Sequence, residues 1–182
     1  MTTVAVLVGS LRKESFSRKV ANAVAKLTPD LTFDFLDIGG VSHFNQDLEA
    51  NPPSDWTVFR DRIKAADAVL FVTAEYNRSV PGVLKNALDV ASRPYGQGAL
   101  MGKPAAVIST SIGAIGGFGA NHHLRQSLAF LNMPVMAQPE AYVGNTGSLF
   151  DGTGQITNDS TEEFLVAFGK AFKAFIEKNK QK

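Results

Sequence analysis

Val4-Ala5-Val6-Leu7-Val8-Gly9 is an unbroken apolar run closed by a glycine, and Phe16, Val20, Ala23, Val24 and Leu27 follow it at helical spacing, with Lys19, Asn22 and Lys26 between them. A strand that is apolar on both sides is buried on both faces, the condition of a parallel sheet covered by helices. The segment behind it predicts an amphipathic helix over 16–27. The same alternation extends outward along the chain. Strands are expected at Leu31–Leu36, Ala68–Thr73, Ala105–Ser109 and, briefly, Val135-Met136. Helices are expected at Trp56–Ala66, at Gly82–Ser92 with Pro81 at its start and Pro94 barring its continuation, and at Asn121–Leu131 with Leu124, Leu128 and Leu131 inward. Phe164, Leu165, Phe168, Phe172, Phe175 and Ile176 predict a last helix, ending in Lys178, Lys180 and Lys182, cations suited to its negative end. The longest stretch without periodicity, Gly144–Ser160, is rich in Gly, Asn, Asp and Thr and reads as a surface excursion near the last strand.

Five strands alternating with five helices, joined by right-handed crossovers, predict an α/β doubly wound sandwich of three layers. Five parallel strands point to the flavodoxin-like order 2-1-3-4-5. The 182 residues suffice for one domain, 1–182, with a sizeable core. Lys plus Arg number 18 against 17 Asp plus Glu, so no bulk field is available to hold nucleic acid or an anionic membrane, and any anion selectivity must be local. Cysteine is absent, which excludes a disulfide framework, a thiolate metal site and a thiol nucleophile, and fits a reducing cytoplasm. No apolar run reaches the ~18 residues of a membrane span, and Met1-Thr2-Thr3 leads into a strand without a basic stretch, so a soluble, untargeted protein is expected.

In an open α/β sheet the ligand lies beyond the carboxyl ends of the strands, so the segments after strands one, three and four are the ones to inspect. After strand one, Gly9-Ser10-Leu11-Arg12-Lys13-Glu14-Ser15-Phe16-Ser17 enters a helix whose first amides lack partners. Gly9 permits a sharp turn, Ser10, Ser15 and Ser17 offer hydroxyls, and the planar fork of Arg12 matches a phosphate dianion. This reads as a cradle for a terminal monophosphate; an ordinary N-cap by Ser15 or Ser17, with Arg12 solvated, uses the same residues. Two other phosphate signatures are missing. No Gly-x-x-x-x-Gly-Lys-Ser/Thr occurs, and the positions after Gly9 lack the glycines of a dinucleotide fingerprint, which leaves Asp37 at the end of strand two without meaning as a ribose ligand.

The segment after strand three is more specific: Glu75-Tyr76-Asn77-Arg78-Ser79-Val80-Pro81-Gly82-Val83-Leu84-Lys85-Asn86-Ala87-Leu88-Asp89. Together with Gly9-Ser10-Leu11-Arg12-Lys13-Glu14-Ser15, and with Ser109-Thr110-Ser111-Ile112-Gly113-Ala114-Ile115-Gly116-Gly117 ahead of His123-Leu124-Arg125-Gln126, it resembles the NADPH-dependent FMN reductase family, within it the chromate and quinone reductase branch. The match covers nearly the whole chain. The resemblance implies noncovalent FMN, NADPH or NADH as co-substrate, and reduction of quinones, azo compounds, flavins or oxidised metal anions such as chromate. It places Ser10, Arg12, Ser15 and Ser17 on the phosphate loop, Glu75, Tyr76 and Asn77 along the isoalloxazine, and Ser111 and Gly113 at its pyrimidine side. Ala74 stands where relatives often carry Pro, and Ser17 where many carry Asn; Arg78 falls in a variable slot and is a candidate for the substrate side.

The chemistry of the residues agrees with that assignment. A flavin needs a flat slot and amides or hydroxyls at its pyrimidine edge, while the ring carries the redox step at N5, so no catalytic acid or base is required of the protein. Nicotinamide and acceptor would share one exposed face, which predicts ping-pong kinetics. The alternative is a flavodoxin-like electron carrier; such carriers are strongly acidic, whereas here Arg12, Lys13, Arg78, Lys85 and Arg93 lie in or beside the site segments. His122 and His123 diverge by about 100° on a helix and cannot chelate one metal, so no metal site is expected. Glu75 beside Arg78 reads as a solvated or salt-bridged carboxylate, Trp56 and Phe59 as core, and Asp151 and Asp159 as turn residues. One chain leaves the dimethylbenzene end of a flavin uncovered, so a homodimer or homotetramer is expected, with contact along helix 82–92 and Arg125 at a second interface.

Overall fold

Thr2–Gly9 forms the interior strand β1, in which Val4 through Val8 are at most 1% exposed. The computed structural model describes residues 1–180. After β1 come α1 (Phe16–Leu27), β2 (Leu31–Leu36), α2 (Ser54–Ala65), β3 (Ala68–Ala74), α3 (Gly82–Ala91), β4 (Ala105–Thr110), α4 (Phe118–Phe130), β5 (Ala141–Val143) and α5 (Asp159–Asn179). All pairings are parallel and the strand order is 2-1-3-4-5, the flavodoxin-like arrangement expected from the alternation.

Because successive side chains of a strand point to opposite faces, the apolar run of β1 feeds two cores. Ala5 and Leu7 join Val69, Phe71 and Val107 beneath α2, α3 and α4. Val4, Val6 and Val8 join Leu70, Val72 and Ile108 beneath α1 and α5. Trp56 is fully buried in the first core, stacks on Phe44 with ring centroids 5.5 Å apart, and donates its Nε1–H to the Ser42 carbonyl at 2.9 Å. Phe59 is buried beside it, and Phe168 and Phe172 fill the second core.

The last strand differs from the expectation. Val135 makes a single parallel bridge to Ala105, with Ala105 N–H donating to Pro134 and Met136 N–H to Ala105, both at 2.8 Å. Pro139, which has no N–H to donate, falls in the stretch that follows. Pairing resumes at Ala141, opposite Ile108, so β5 is Ala141–Val143 and not Val135-Met136. The excursion after β5 also ends early. Asn158 accepts a hydrogen bond from the Thr161 amide at 2.9 Å and starts α5 at Asp159, five residues ahead of the aromatic stripe. Lys182, expected at the end of that helix, lies outside the described residues.

Candidate active site

The carboxyl ends of β1, β3 and β4 open onto one cleft, built from the loops that follow them. At the end of β1 a Cβ on Gly9 would sit 3.0 Å from Thr73 Oγ1 and 3.1 Å from Leu84 Cδ2, a tight fit that a larger residue would meet only by pushing these side chains aside. The chain turns at once, Ser10 N–H donating to Val8 at 2.8 Å, and reaches Ser15, the N-cap of α1. Ser15 Oγ accepts from the Arg18 amide at 3.2 Å, leaving the amides of Phe16 and Ser17 at the positive end of the helix. Ser17 is 2% exposed and its hydroxyl lies 2.7 Å from that of Thr110, joining the phosphate-type loop to the end of β4. Arg12 and Lys19 lie over the Phe16 ring at 5.9 and 5.6 Å.

After β3, Tyr76 and Ser79 exchange both backbone hydrogen bonds at 3.0 Å, and the two residues between them, Asn77 and Arg78, have φ of 52° and 62°. Two successive left-handed residues make the tight mirror-image turn of a hairpin, usual for Asn and unusual for Arg. Glu75 fixes this hairpin to α4: Arg78 Nη1 donates to its Oε1 at 2.8 Å and the Ala120 amide donates to its Oε2 at 3.0 Å. Its side chain is 12% exposed, against 74% for Arg78. Ser79 Oγ and His123 Nδ1, 2.7 Å apart, form a second tie between hairpin and helix.

The loop after β4 is held from the far side of the sheet. Ser111 N–H donates to Val143 at 3.0 Å, Thr146 N–H to Ser111 at 3.2 Å and Asn145 N–H to Gly113 at 3.2 Å, while Ser111 Oγ accepts from the Gly113 amide at 3.1 Å. A Cβ on Gly116 would lie 2.5 Å from the carbonyl carbon of Tyr142, and Gly117, with φ of 77°, precedes α4. This close approach of β5 starts α4 at Phe118, three residues before its expected beginning. Burial and Glu140 push the Tyr142 phenol above its ordinary pKa. Beside the phosphate-type loop, burial lowers the Arg18 guanidinium, an effect that Asp37 opposes.

Of the residues expected in the site, Ser10, Arg12, Ser15, Ser17, Glu75, Tyr76 and Ser111 line the cleft; Asn77, Arg78 and Gly113 lie in its loops without lining it. Thr110, Ile112 and Thr146 also line it. Thr110 and Ile112 belong to the β4 segment that the sequence had marked, whereas Thr146 sits in the aperiodic stretch after β5 and gave no signal. His122 and His123 turn apart, toward Tyr142 Oη at 2.9 Å and toward Ser79, and no cluster of potential metal ligands occurs among the described residues. Asp151 is a turn acceptor for Thr153 and Gln155, while Asp159 opens α5. Arg125 is partly taken up within the chain, donating to Asn121 Oδ1 and to the Met136 carbonyl, both at 2.9 Å.

A parallel 2-1-3-4-5 sheet with a hydroxyl-lined, arginine-bearing helix N-terminus in the cleft at the β1/β3 switch point defines a flavodoxin-like protein. The model of the NADPH-dependent FMN reductase family matches residues 2–148, and the chain belongs to that family. It is therefore an oxidoreductase, with FMN as its cofactor and a nicotinamide nucleotide as its electron donor. It is 58% identical over 180 residues to a quinone reductase of Pseudomonas putida, covering 98% of this chain and 96% of that protein. Identity to a 2-hydroxy-1,4-benzoquinone reductase of a Burkholderia species is 47% over 174 residues, covering 95% of each. Among solved structures it is similar to FerB, a flavoenzyme NAD(P)H:(acceptor) oxidoreductase from Paracoccus denitrificans, with a TM-score of 0.94, 44% identity and full coverage of both chains.

Proposed function

We propose that the chain is an NAD(P)H:quinone oxidoreductase that holds FMN across the three loops of the cleft. The observation that carries this reading is the convergence of Ser10, Arg12, Ser15 and Ser17 at the open end of α1 with the Glu75-Tyr76 hairpin and the Ser111 loop in one cleft. Helix amides, three hydroxyls and a guanidinium satisfy a phosphate dianion without a metal, and the polar edge of the Ser111–Gly113 loop suits the pyrimidine rim. When bound, FMN supplies the hydride-accepting and hydride-donating ring chemistry. The protein supplies position. Glu75 and Ser79 anchor the hairpin to α4, so that Tyr76, 48% exposed, and Ile112, 74% exposed, stand as apolar walls at the mouth. A mouth walled in this way takes one flat ligand at a time, so nicotinamide and acceptor alternate and double-reciprocal plots are parallel.

Quinones are the principal acceptors in this reading, supported by the names of the relatives at 58% and 47% identity. Azo compounds share the flat shape, and chromate and other anions are served by Arg78 at the hairpin tip. The working form is a homodimer or homotetramer in the cytoplasm. No helix among the described residues is long and apolar enough to cross a membrane. The deciding experiment is the visible spectrum of the purified protein, its anaerobic bleaching by NADPH and by NADH, and its recolouring by a benzoquinone. Extraction of FAD, or bleached protein that quinone leaves unchanged, overturns the proposal.

A further inference from the structure

Three buried side-chain polar atoms have no hydrogen-bond partner among the described residues: Thr28 Oγ1, Arg60 Nη2 and Thr146 Oγ1. Thr28 follows α1 and faces Gly169 of α5, where a Cβ would lie only 2.1 Å from its oxygen, so that hydroxyl is confined by close helix packing. Arg60 is bonded through Nε to the Val90 carbonyl at 2.8 Å and is a contact between α2 and α3. Thr146 alone of the three lines the cleft.

Both backbone groups of Thr146 are engaged, the N–H by Ser111 at 3.2 Å and the carbonyl by Leu149 at 3.4 Å, and the residue is 0% exposed. Two residues beyond Ser148, Phe150 stacks with Phe16 at 6.5 Å between ring centroids, which brings this loop against the first turn of α1. Thr146 thus sits in the wall that also carries Ser17 and Thr110. A buried hydroxyl without a partner is costly, and such an atom in a native site calls for a reason. A ligand oxygen supplies one.

We infer that Thr146 is a cofactor-binding residue whose hydroxyl donates to the phosphate end of FMN, completing from the segment after β5 the set begun by Ser10, Arg12, Ser15 and Ser17. The inference rests on the FMN reading above and assigns the excursion after β5 a direct part in the site. The isosteric Thr146→Val removes only the hydroxyl, so the affinity for FMN falls while the flavin-free fold is kept.

The test is titration of flavin-free wild type, Thr146→Val and Thr146→Ser with FMN and with riboflavin, followed by flavin fluorescence, alongside thermal melts of the same flavin-free proteins. Thr146→Val is expected to raise the FMN Kd by about ten- to a hundredfold, the range for a hydrogen bond to a charged group. Riboflavin affinity stays unchanged, Thr146→Ser stays within a few-fold of wild type, and the Val protein melts no lower than wild type. Unchanged FMN affinity in the Val protein overturns the inference, and an equal loss for both flavins overturns the phosphate assignment. A Val protein that melts lower marks a structural hydroxyl and also counts against it. Failure of wild type to bind FMN would instead overturn the underlying FMN reading.

Discussion

The carboxylate of Glu75 accepts a hydrogen bond from the Ala120 amide at 3.0 Å, so the hairpin after β3 caps the helix that follows β4. α4 has no side-chain cap of its own, because Gly117 occupies the N-cap position. A carboxylate also suits the positive end of a helix. One side chain thereby sets the distance between two of the three loops that build the cleft.

Glu75→Ala is expected to cost about 1–2 kcal/mol, the range for losing a helix cap. Glu75→Gln keeps an acceptor for Ala120 and loses the pairing with the exposed Arg78, worth about 0.2–1 kcal/mol, along with the attraction of the charge to the helix end. Urea denaturation of the two variants checks the ordering. If Gln proves as costly as Ala, the ion pair is the main interaction and the cap is secondary.

The hairpin tip separates a backbone role from a charge role. Asn77 and Arg78 are both left-handed, a conformation that disfavours a side chain branched at Cβ, so Asn77→Val should destabilise by about 1–3 kcal/mol. Arg78→Gly relieves the backbone cost and removes the exposed ion pair, two terms of similar size and opposite sign, and so leaves stability within about 1 kcal/mol. With FMN affinity unchanged, the KM for chromate should rise while that for a neutral benzoquinone stays the same. Equal KM values for chromate in wild type and Arg78→Gly would remove Arg78 from the acceptor side.

Acid sensitivity follows from the opposite end of the sheet. Asp67 accepts from the Thr3 amide at 2.7 Å, at the foot of β1 and β3, and that bond, with Lys180 nearby, holds its carboxyl below the usual range. A depressed carboxyl pKa stabilises the fold above the unfolded value of about 3.9 and loses that contribution as pH falls through the folded value. Asp67→Asn should therefore lower the Tm at pH 7 and converge on wild type below about pH 4. A gap of constant size from pH 7 to pH 3 would show that the ionised carboxylate is not what matters.

The fold was legible because β1, β3 and β4 are apolar on both faces, a pattern that depends on burial alone. The beginning of α4 was not, because its cap comes from Glu75 and the close approach of Gly116 to Tyr142 comes from β5, both distant in sequence. β5 was misplaced for a related reason: Val135 and Met136 have the composition of a strand and do touch β4, but the continuous ladder forms beyond Pro139. Seven of the expected site residues share the cleft because each lies in a segment between the carboxyl end of a strand and the first turn of the next helix. Thr146 escaped notice since a threonine among Gly, Asn and Asp reads as a turn, and only its burial without a partner sets it apart.

The groove between the ends of α3 and α4 bears on assembly. Tyr95 is 77% exposed, Phe130 79% and Met101 42%, and all three line this groove together with Leu131. Large apolar side chains gathered on one face mark a surface that is covered in use, and the face continues along α3 through Leu88 and Lys85 toward the loop that carries Tyr76. In the oligomer proposed above, a second copy of the chain placed symmetrically against α3 would cover the aromatic groups and bring its own residues toward the open side of the cleft. Phe130→Glu puts a charge in that groove and nothing in the cleft. The variant should retain the far-ultraviolet circular dichroism of the parent, sediment as a monomer where the parent sediments as a dimer or tetramer, and lose FMN and quinone reduction together on dilution. A parent chain that sediments as a fully active, FMN-loaded monomer at assay concentration would show that the groove serves another purpose.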